Sequence, residues 1–207
     1  MYKNFIKRIL DIVLSGIGII VLCIPMIIFS IIIKTEDRGS AIFKQKRVGK
    51  NKKYFNIYKF RSMKMSTPKD CPTHLLKNPD EYILKCGKWM RKYSIDELPQ
   101  LFNIFKGDMS IVGPRPALWN QYDLIEERDK YNANNVRPGL TGLAQIEGRD
   151  ELEIIEKAKL DGEYVKNLSF MLDMKCFFRT FLSVAKHEGV VEGGTGSLKK
   201  ESDDNNE

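Results

Sequence analysis

The sequence predicts an α+β protein: a mainly helical small domain with one short β-hairpin, an N-terminal membrane helix, and amphipathic helices suited to a bilayer surface. Three observations lead there. Residues Ile12 to Ile33 are 22 consecutive positions without a charge. Residues 41–65 interleave β-branched and aromatic residues with positive charges around Gly49-Lys50-Asn51. Beyond them, large apolar residues recur at helical spacing in separate segments. A chain of 207 residues, 43% hydrophobic and 29% charged, has room for one core-bearing domain. That composition excludes collagen-like, coiled-coil and wholly disordered classes. The expected division is a membrane segment over 1–38, a domain over 39–187 and a flexible tail over 188–207.

The membrane segment rests on length and flanks. As a helix, 22 residues reach roughly 33 Å, enough for a hydrocarbon core of about 30 Å. The run is too long for a signal-peptide core, and no small-residue cleavage site follows it. Basic flanks favour the cytoplasmic side, and here both flanks are basic. Lys3, Lys7 and Arg8 precede the run; nine Lys/Arg and no acid occupy 41–66. Pro25 removes a backbone donor in mid-run and is expected to kink the helix. Two topologies fit these facts: a helix that enters, bends and returns to the same face, and a straight span.

The next elements follow from local pattern. The 41–65 stretch reads as a hairpin turning at Gly49-Lys50-Asn51. Met65 to Tyr82, with Pro68, Pro72 and Pro79, reads as an exposed loop. Residues 83–92 read as a short basic helix. Leu98, Leu101, Phe102 and Phe105 form an i, i+3, i+4, i+7 stripe, expected to lie on the core, and Gly107 stops that helix. Asp108 to Pro116 is a short apolar segment ending in a stiff turn around Arg115. Trp119 to Tyr131 reads as a polar helix, and Val136 to Asp150 as a glycine-rich loop. Glu151 to Asn167 and Leu168 to His187 read as two amphipathic helices, the second suited to the core or to a membrane surface.

Composition also narrows the chemistry. Cys23, Cys71, Cys86 and Cys176 lie far apart, and His74 and His187 are the sole histidines. A disulfide framework or a zinc site is not expected, so any metal would sit on carboxylate oxygens. Phosphate-binding loops and the usual hydrolase and metalloprotease signatures are absent from the sequence. What stands out is Asp96-Glu97 at a helix start. One carboxylate of such a pair can attack phosphorus while the other holds Mg²⁺ or handles a proton. Both can equally serve as helix caps, since Ser94-x-x-Glu97 matches a capping box and Asp96 is a good cap residue. Arg115 lies between two prolines and Arg137 precedes Pro138-Gly139. Their planar forks suit phosphate oxygens if they are not merely solvated charge. The basic run 44–64, Arg47 included, reads most simply as contact with anionic lipid headgroups, with Lys59 and Arg61 able to reach a site instead. A nucleic-acid partner is not expected, because the run follows directly on a membrane segment. A non-catalytic lipid-binding scaffold is the alternative to an enzyme.

Five blocks carry a resemblance: Lys-Arg-Ile-Leu-Asp at 7–11, IYKFRSM at 57–63, SIDELPQLFNIFKGDMSIVGPRP at 94–116, VRPGLTGLAQ at 136–145 and YVKNLSFMLD at 164–173. Together they resemble the bacterial sugar transferases, specifically the small monotopic polyprenyl-phosphate phosphoglycosyl transferases, over about residues 1–187. The resemblance implies transfer of a sugar 1-phosphate from a UDP-sugar to undecaprenyl phosphate, with release of UMP. It implies a re-entrant helix kinked at Pro25 and a domain on the cytoplasmic face of the bacterial inner membrane. Asp96 is then the nucleophile and Glu97 its partner, both near a required Mg²⁺. Lys59, Arg91, Arg115, Arg137 and Asp173 match family positions that bind substrate. Later glycosyltransferases are implied as partners. The chain departs from the family pattern at Tyr82, where relatives often carry Arg, and at Glu147, where Asn is usual; both bear on the sugar.

Overall fold

The computed structural model describes residues 1–67, 79–148 and 152–186. Most of the expected loop after Met65, Arg149 with Asp150, and the 188–207 tail lie outside these residues. Helix α1 (Lys7–Glu36) follows a short π-helical turn and runs through Pro25 without interruption. Pro25 thus lies inside one helical segment. One proline costs one backbone bond and a local clash; on the turns around it, Leu22, Met26 and Phe29 pack into one apolar cluster. Strands β1 (Ile42–Val48) and β2 (Tyr54–Phe60) form the expected antiparallel hairpin, with Ile42 opposite Phe60 and Val48 opposite Tyr54. Its turn is the expected one, with Asn51 and Lys52 in left-handed conformation.

Helices α2 (Pro79–Tyr82) and α3 (Lys85–Lys92) follow, then a 3₁₀ turn at Ile95–Glu97 and α4 (Gln100–Lys106). Gly107 ends α4 as expected, its N–H donating to the carbonyls of Asn103 and Ile104. Strand β3 (Ser110–Val112) pairs in parallel with β4 (Gly139–Thr141), a pairing the sequence did not suggest. Gly139 is required there: a Cβ would stand 2.1 Å from the Gly113 nitrogen. Between them lies α5 (Tyr122–Asp129), and after them come α6 (Leu143–Glu147), α7 (Ile154–Lys166) and α8 (Phe170–Lys186). The 136–150 stretch is therefore strand and helix for much of its length, not loop.

The α4 stripe differs from expectation. The face turned to the core carries Gln100, Asn103 and Ile104, while Phe102 and Phe105 are about half exposed at 46% and 50%. Leu101 and Phe105 instead meet α1 at Gly18 and Gly16. Part of the stripe thus packs on α1, which supplies apolar surface for Leu101 and Phe105.

Helix α1 is docked at both ends. Near its start, Lys7 Nζ lies 2.6 Å from Asp173, Arg8 donates to the carbonyls of Ile104 and Phe105, and Asp11 accepts from Ser110 Oγ and the Ile111 N–H. At its end, Glu36 accepts from the Lys85 and Cys86 N–H groups, and Asp37 pairs with Arg61. Met26 and Ile33 join Ala41, Phe60, Leu84 and Met90 in one buried cluster. The opposite side is bare: Ile20 is 76% and Ile24 68% exposed. This is the one described helix long and apolar enough to cross a membrane. A core helix would bury those side chains, so a wholly soluble setting fits poorly.

Candidate active site

Three elements converge on the acidic pair. Asn103, fully buried on α4, accepts from the Tyr58 N–H at 2.9 Å and donates to the Asn56 carbonyl at 2.8 Å. This clamps β2 against α4 and fixes Lys59 beside the turn that carries Asp96 and Glu97. Helix α3 is pressed onto residues 61–63, because a Cβ at Gly87 would stand 2.2 Å from the Ser62 carbonyl oxygen. Arg91, in the last turn of α3, donates to Ser62 Oγ at 2.9 Å. Ser94 then takes a left-handed conformation, φ 55°, that turns the chain into the 3₁₀ turn.

Neither capping alternative is realised. No side chain caps the 3₁₀ turn, and Pro99 stands at the N-cap of α4. The carboxylates are engaged otherwise. Glu97 Oε1 accepts from Lys59 Nζ at 2.7 Å and from Arg115 at 3.1 Å. Arg115 is set by its turn. The Gly139 N–H donates to Pro114 O, Val48 N–H to Ala117 O, and Arg47 to Pro116 O.

Electrostatics separate the two carboxyls. Burial pushes Asp96 up to about 6, helped by the charge of Glu97 and opposed by Lys59, Arg91 and Arg115. Burial would raise Glu97 too, but Lys59 and Arg115 outweigh it and hold its carboxyl well below the ordinary range. One carboxylate is thus locked as an ion between cations, and its neighbour is kept basic. Divergent environments of this kind assign different roles to paired acids.

Arg47 is the residue the sequence reasoning misplaced. It was expected to face lipid, yet it is half-buried. Its guanidinium donates to Pro116 O at 3.0 Å and to Gln45 Oε1 at 2.7 Å, while Nε is buried without a partner. Burial and the nearby Arg115 charge lower its pKa to about 10, with Glu97 opposing. Strand parity carries the signal: Phe43, Gln45 and Arg47 lie opposite Lys59, Ile57 and Phe55, and residues directly opposite share a face. Lys44 and Lys46 fall on the other face, over the rings of Tyr58 and Tyr54. Arg61 also leaves the headgroup reading, since it is buried against Asp37.

Lys59, Arg91, Asp96, Glu97 and Arg115 therefore come together, with Arg47 added. Arg137 and Asp173 lie in a second group. Arg137 Nε donates to the Gly107 carbonyl at 2.9 Å. Asp173, 2% exposed, accepts from Lys7, Tyr2 at 2.5 Å and Tyr164 at 2.7 Å. Its visible work is anchoring the start of α1. Glu147 pairs with Arg179 on α8 at 2.6 Å. Among the described residues no cluster of three or more His, Cys, Asp or Glu could hold a metal by itself.

Four cations (Lys59, Arg91, Arg115, Arg47) around two carboxylates define a site for a polyanion, on a domain docked to an exposed apolar helix. Comparison with known proteins gives the class a family. Residues 2–187 match the family model described as bacterial sugar transferase, and the chain belongs to that family. It is 42% identical over 191 residues to an uncharacterized sugar transferase of Bacillus subtilis, covering 90% of this chain and 91% of that one. It is 37% identical over 203 residues to an undecaprenyl-phosphate galactose phosphotransferase of Salmonella typhimurium, covering 91% of this chain and 42% of that protein. It is 36% identical over 187 residues to a UDP-glucose:undecaprenyl-phosphate glucose-1-phosphate transferase of Klebsiella pneumoniae, 84% of this chain and 39% of that protein. The chain thus spans less than half the length of several relatives it matches.

Proposed function

We propose that this protein transfers a sugar 1-phosphate from a UDP-sugar to undecaprenyl phosphate through a covalent intermediate on Asp96. The single observation that carries the reading is the split between the two carboxyls, one ion-paired and one kept basic under a cationic surround. The relatives' names supply the substrate class.

A carboxylate oxygen of Asp96 attacks the β-phosphorus of the UDP-sugar. A P–O bond forms to Asp96 and the bond to UMP breaks, its electron pair leaving on the UMP phosphate. Lys59, Arg91 and Arg115 balance the charge that gathers on the transferring and leaving oxygens. An oxygen of the polyprenyl phosphate then attacks the same phosphorus, forms the diphosphate and restores the Asp96 carboxylate. Raised basicity suits Asp96 to the first attack. Glu97, pinned by Lys59 and Arg115, holds those two cations at the phosphate path.

Asp96 and the second oxygen of Glu97 fit a Mg²⁺ ion, which takes one or two carboxylates and fills its shell with water and substrate phosphates. Bound there, it would supply further neutralisation of the diphosphate.

The same reading sets the protein on the cytoplasmic face of the bacterial inner membrane, with α1 entering and leaving by one face. Docking of both helix ends on one domain supports this, as does the bare isoleucine face between them. A straight span would have to undock one end. Exposed Phe170, Met171, Phe178 and Leu182 on α8 extend the apolar surface toward anionic lipid. The membrane-bound product is a substrate for later glycosyltransferases. Incubation with undecaprenyl phosphate and a panel of UDP-sugars tests the activity. UMP should appear with at least one sugar, and no UMP with any of them would refute it.

A further inference from the structure

Arg137, matched by resemblance to a substrate position, lines a cavity of about 320 Å³ at the N-terminal end of α1. Lys3, Lys7, Arg8 and Lys50 line it too, and Asp11 is the acid among its described lining residues. The five cations come from three separate parts of the fold: the start of α1, the hairpin tip and the segment before β4. Their negative partners are few. Asp11 spends one oxygen on Ser110 and Ile111, and Asp173 pairs with Lys7 alone among these cations. Arg8 and Arg137 donate to the carbonyls of Ile104, Phe105 and Gly107, which orient the guanidinium groups without neutralising them. Among the described residues, these five positive charges against two negative leave an excess of three. Such a concavity favours an anion with several acceptor oxygens.

The surroundings add a second demand. Leu168 lines the same cavity, and Phe170 and Met171, two and three residues on, are 50% and 75% exposed. Tyr2 packs edge-on against Phe170 at 5.9 Å between ring centres. On α1, Ile9 and Val13 are also exposed, at 44% and 48%. The charged cavity therefore borders the apolar surface. A ligand that satisfies both has a phosphate-ester head and hydrocarbon tails.

We propose that this cavity is a headgroup site for an anionic phospholipid, distinct from the Asp96 site. Cations on α1, the hairpin and the 136–138 segment would close on one phosphate ester and tie the start of the membrane helix to the domain. The lipid source rests on the membrane reading above; the anion chemistry does not.

The test uses the full chain, purified and stripped of lipid, with no sugar donor present, so its outcome does not bear on the transfer reaction. Phosphatidylglycerol, phosphatidylcholine and inorganic phosphate are titrated separately, and binding is followed by native mass spectrometry and thermal unfolding. Wild type should retain one phosphatidylglycerol more tightly than any phosphatidylcholine. Lys50→Gln and Arg137→Gln should each weaken that binding at least tenfold, Lys50→Arg should restore it, and Lys159→Gln, an exposed charge on α7, should leave it unchanged. Lys50 is exposed at the hairpin tip, so its variant keeps the test open if Arg137→Gln folds poorly. Equal protection by inorganic phosphate, lost in the same variants, would keep the anion site and overturn the lipid assignment. Binding that survives both Gln variants, or that weakens as much in Lys159→Gln, would overturn the site.

Discussion

Replacing Lys59 by Met tests the ion lock on Glu97. Lys59 and Glu97 side chains are 19% and 17% exposed and meet at 2.7 Å. Breaking a fully buried pair costs about 3–5 kcal/mol, because the remaining charge stays desolvated. Here the residual exposure and the remaining contact with Arg115 reduce the loss to about 2 kcal/mol. For a chain of this size that is roughly 4–8 °C in Tm. The sign follows from the lowered carboxyl of Glu97. Its contribution is fully present above the unfolded carboxylate pKa, about 4.3, and disappears as pH falls through the lower folded value. The variant should therefore lose most at pH 7, and the gap to wild type should narrow below about pH 4. Thermal unfolding of wild type, Lys59→Met, Glu97→Gln and the double variant gives the coupling directly. Removing Lys59 should cost much less once Glu97 is already Gln. Equal shifts in both backgrounds would refute the lock.

Three further outcomes are expected. Arg47→Lys keeps the charge but loses the fork that joins Pro116 O to Gln45, so UMP release should fall about tenfold, near 1.4 kcal/mol in the barrier; an unchanged rate would return Arg47 to the lipid-facing run. Because Asp96 is raised to about 6, UMP release should fall as pH drops through that value, and Arg115→Gln, which removes a cation that lowers it, should move this limb to higher pH; a limb in the ordinary carboxylate range for both proteins would remove Asp96 from the attack. Single cysteines at Asn4 and Lys53, in a chain otherwise free of cysteine, should be labelled from the same side of sealed vesicles, and labelling from opposite sides would refute the re-entrant topology.

Local pattern carried the parts of the fold that local physics decides. The hairpin was legible because left-handed turn residues fall between two strands of matched length, and Gly107 because helix ends favour it. The β3–β4 pairing was not legible. Strands of three residues show no alternation, and the partner of Ser110 stands 29 positions away. The apolar stripe of α4 was visible, but periodicity does not say whether the facing surface belongs to the domain or to α1. At the site, Asp96 and Glu97 stood out by type, while the choice between capping and chemistry needed the positions of Lys59 and Arg115. Arg47 was masked by a run of like charges that strand parity divides. Asp173 entered through resemblance alone, which gives a residue's importance without its neighbours, and the turn chemistry that marked Arg137 did not say what it faces. In the fold Asp173 holds Lys7 at the start of α1, and Arg137 donates to the Gly107 carbonyl at the end of α4.

The central claim is a covalent phosphosugar on Asp96, and intact-protein and peptide mass spectrometry read it directly. Wild type incubated with an accepted UDP-sugar, without undecaprenyl phosphate, should release no more than one UMP per chain. It should gain the mass of one phosphosugar on the peptide that contains Asp96. Undecaprenyl phosphate added afterwards should discharge that mass. Asp96→Asn, which keeps the side-chain volume, should remain folded and show neither UMP nor adduct, since an amide cannot form the acyl phosphate. A wild-type protein that turns over with lipid acceptor, yet never carries the added mass and shows no burst without acceptor, would contradict the covalent account. Direct attack by the lipid phosphate would then replace it.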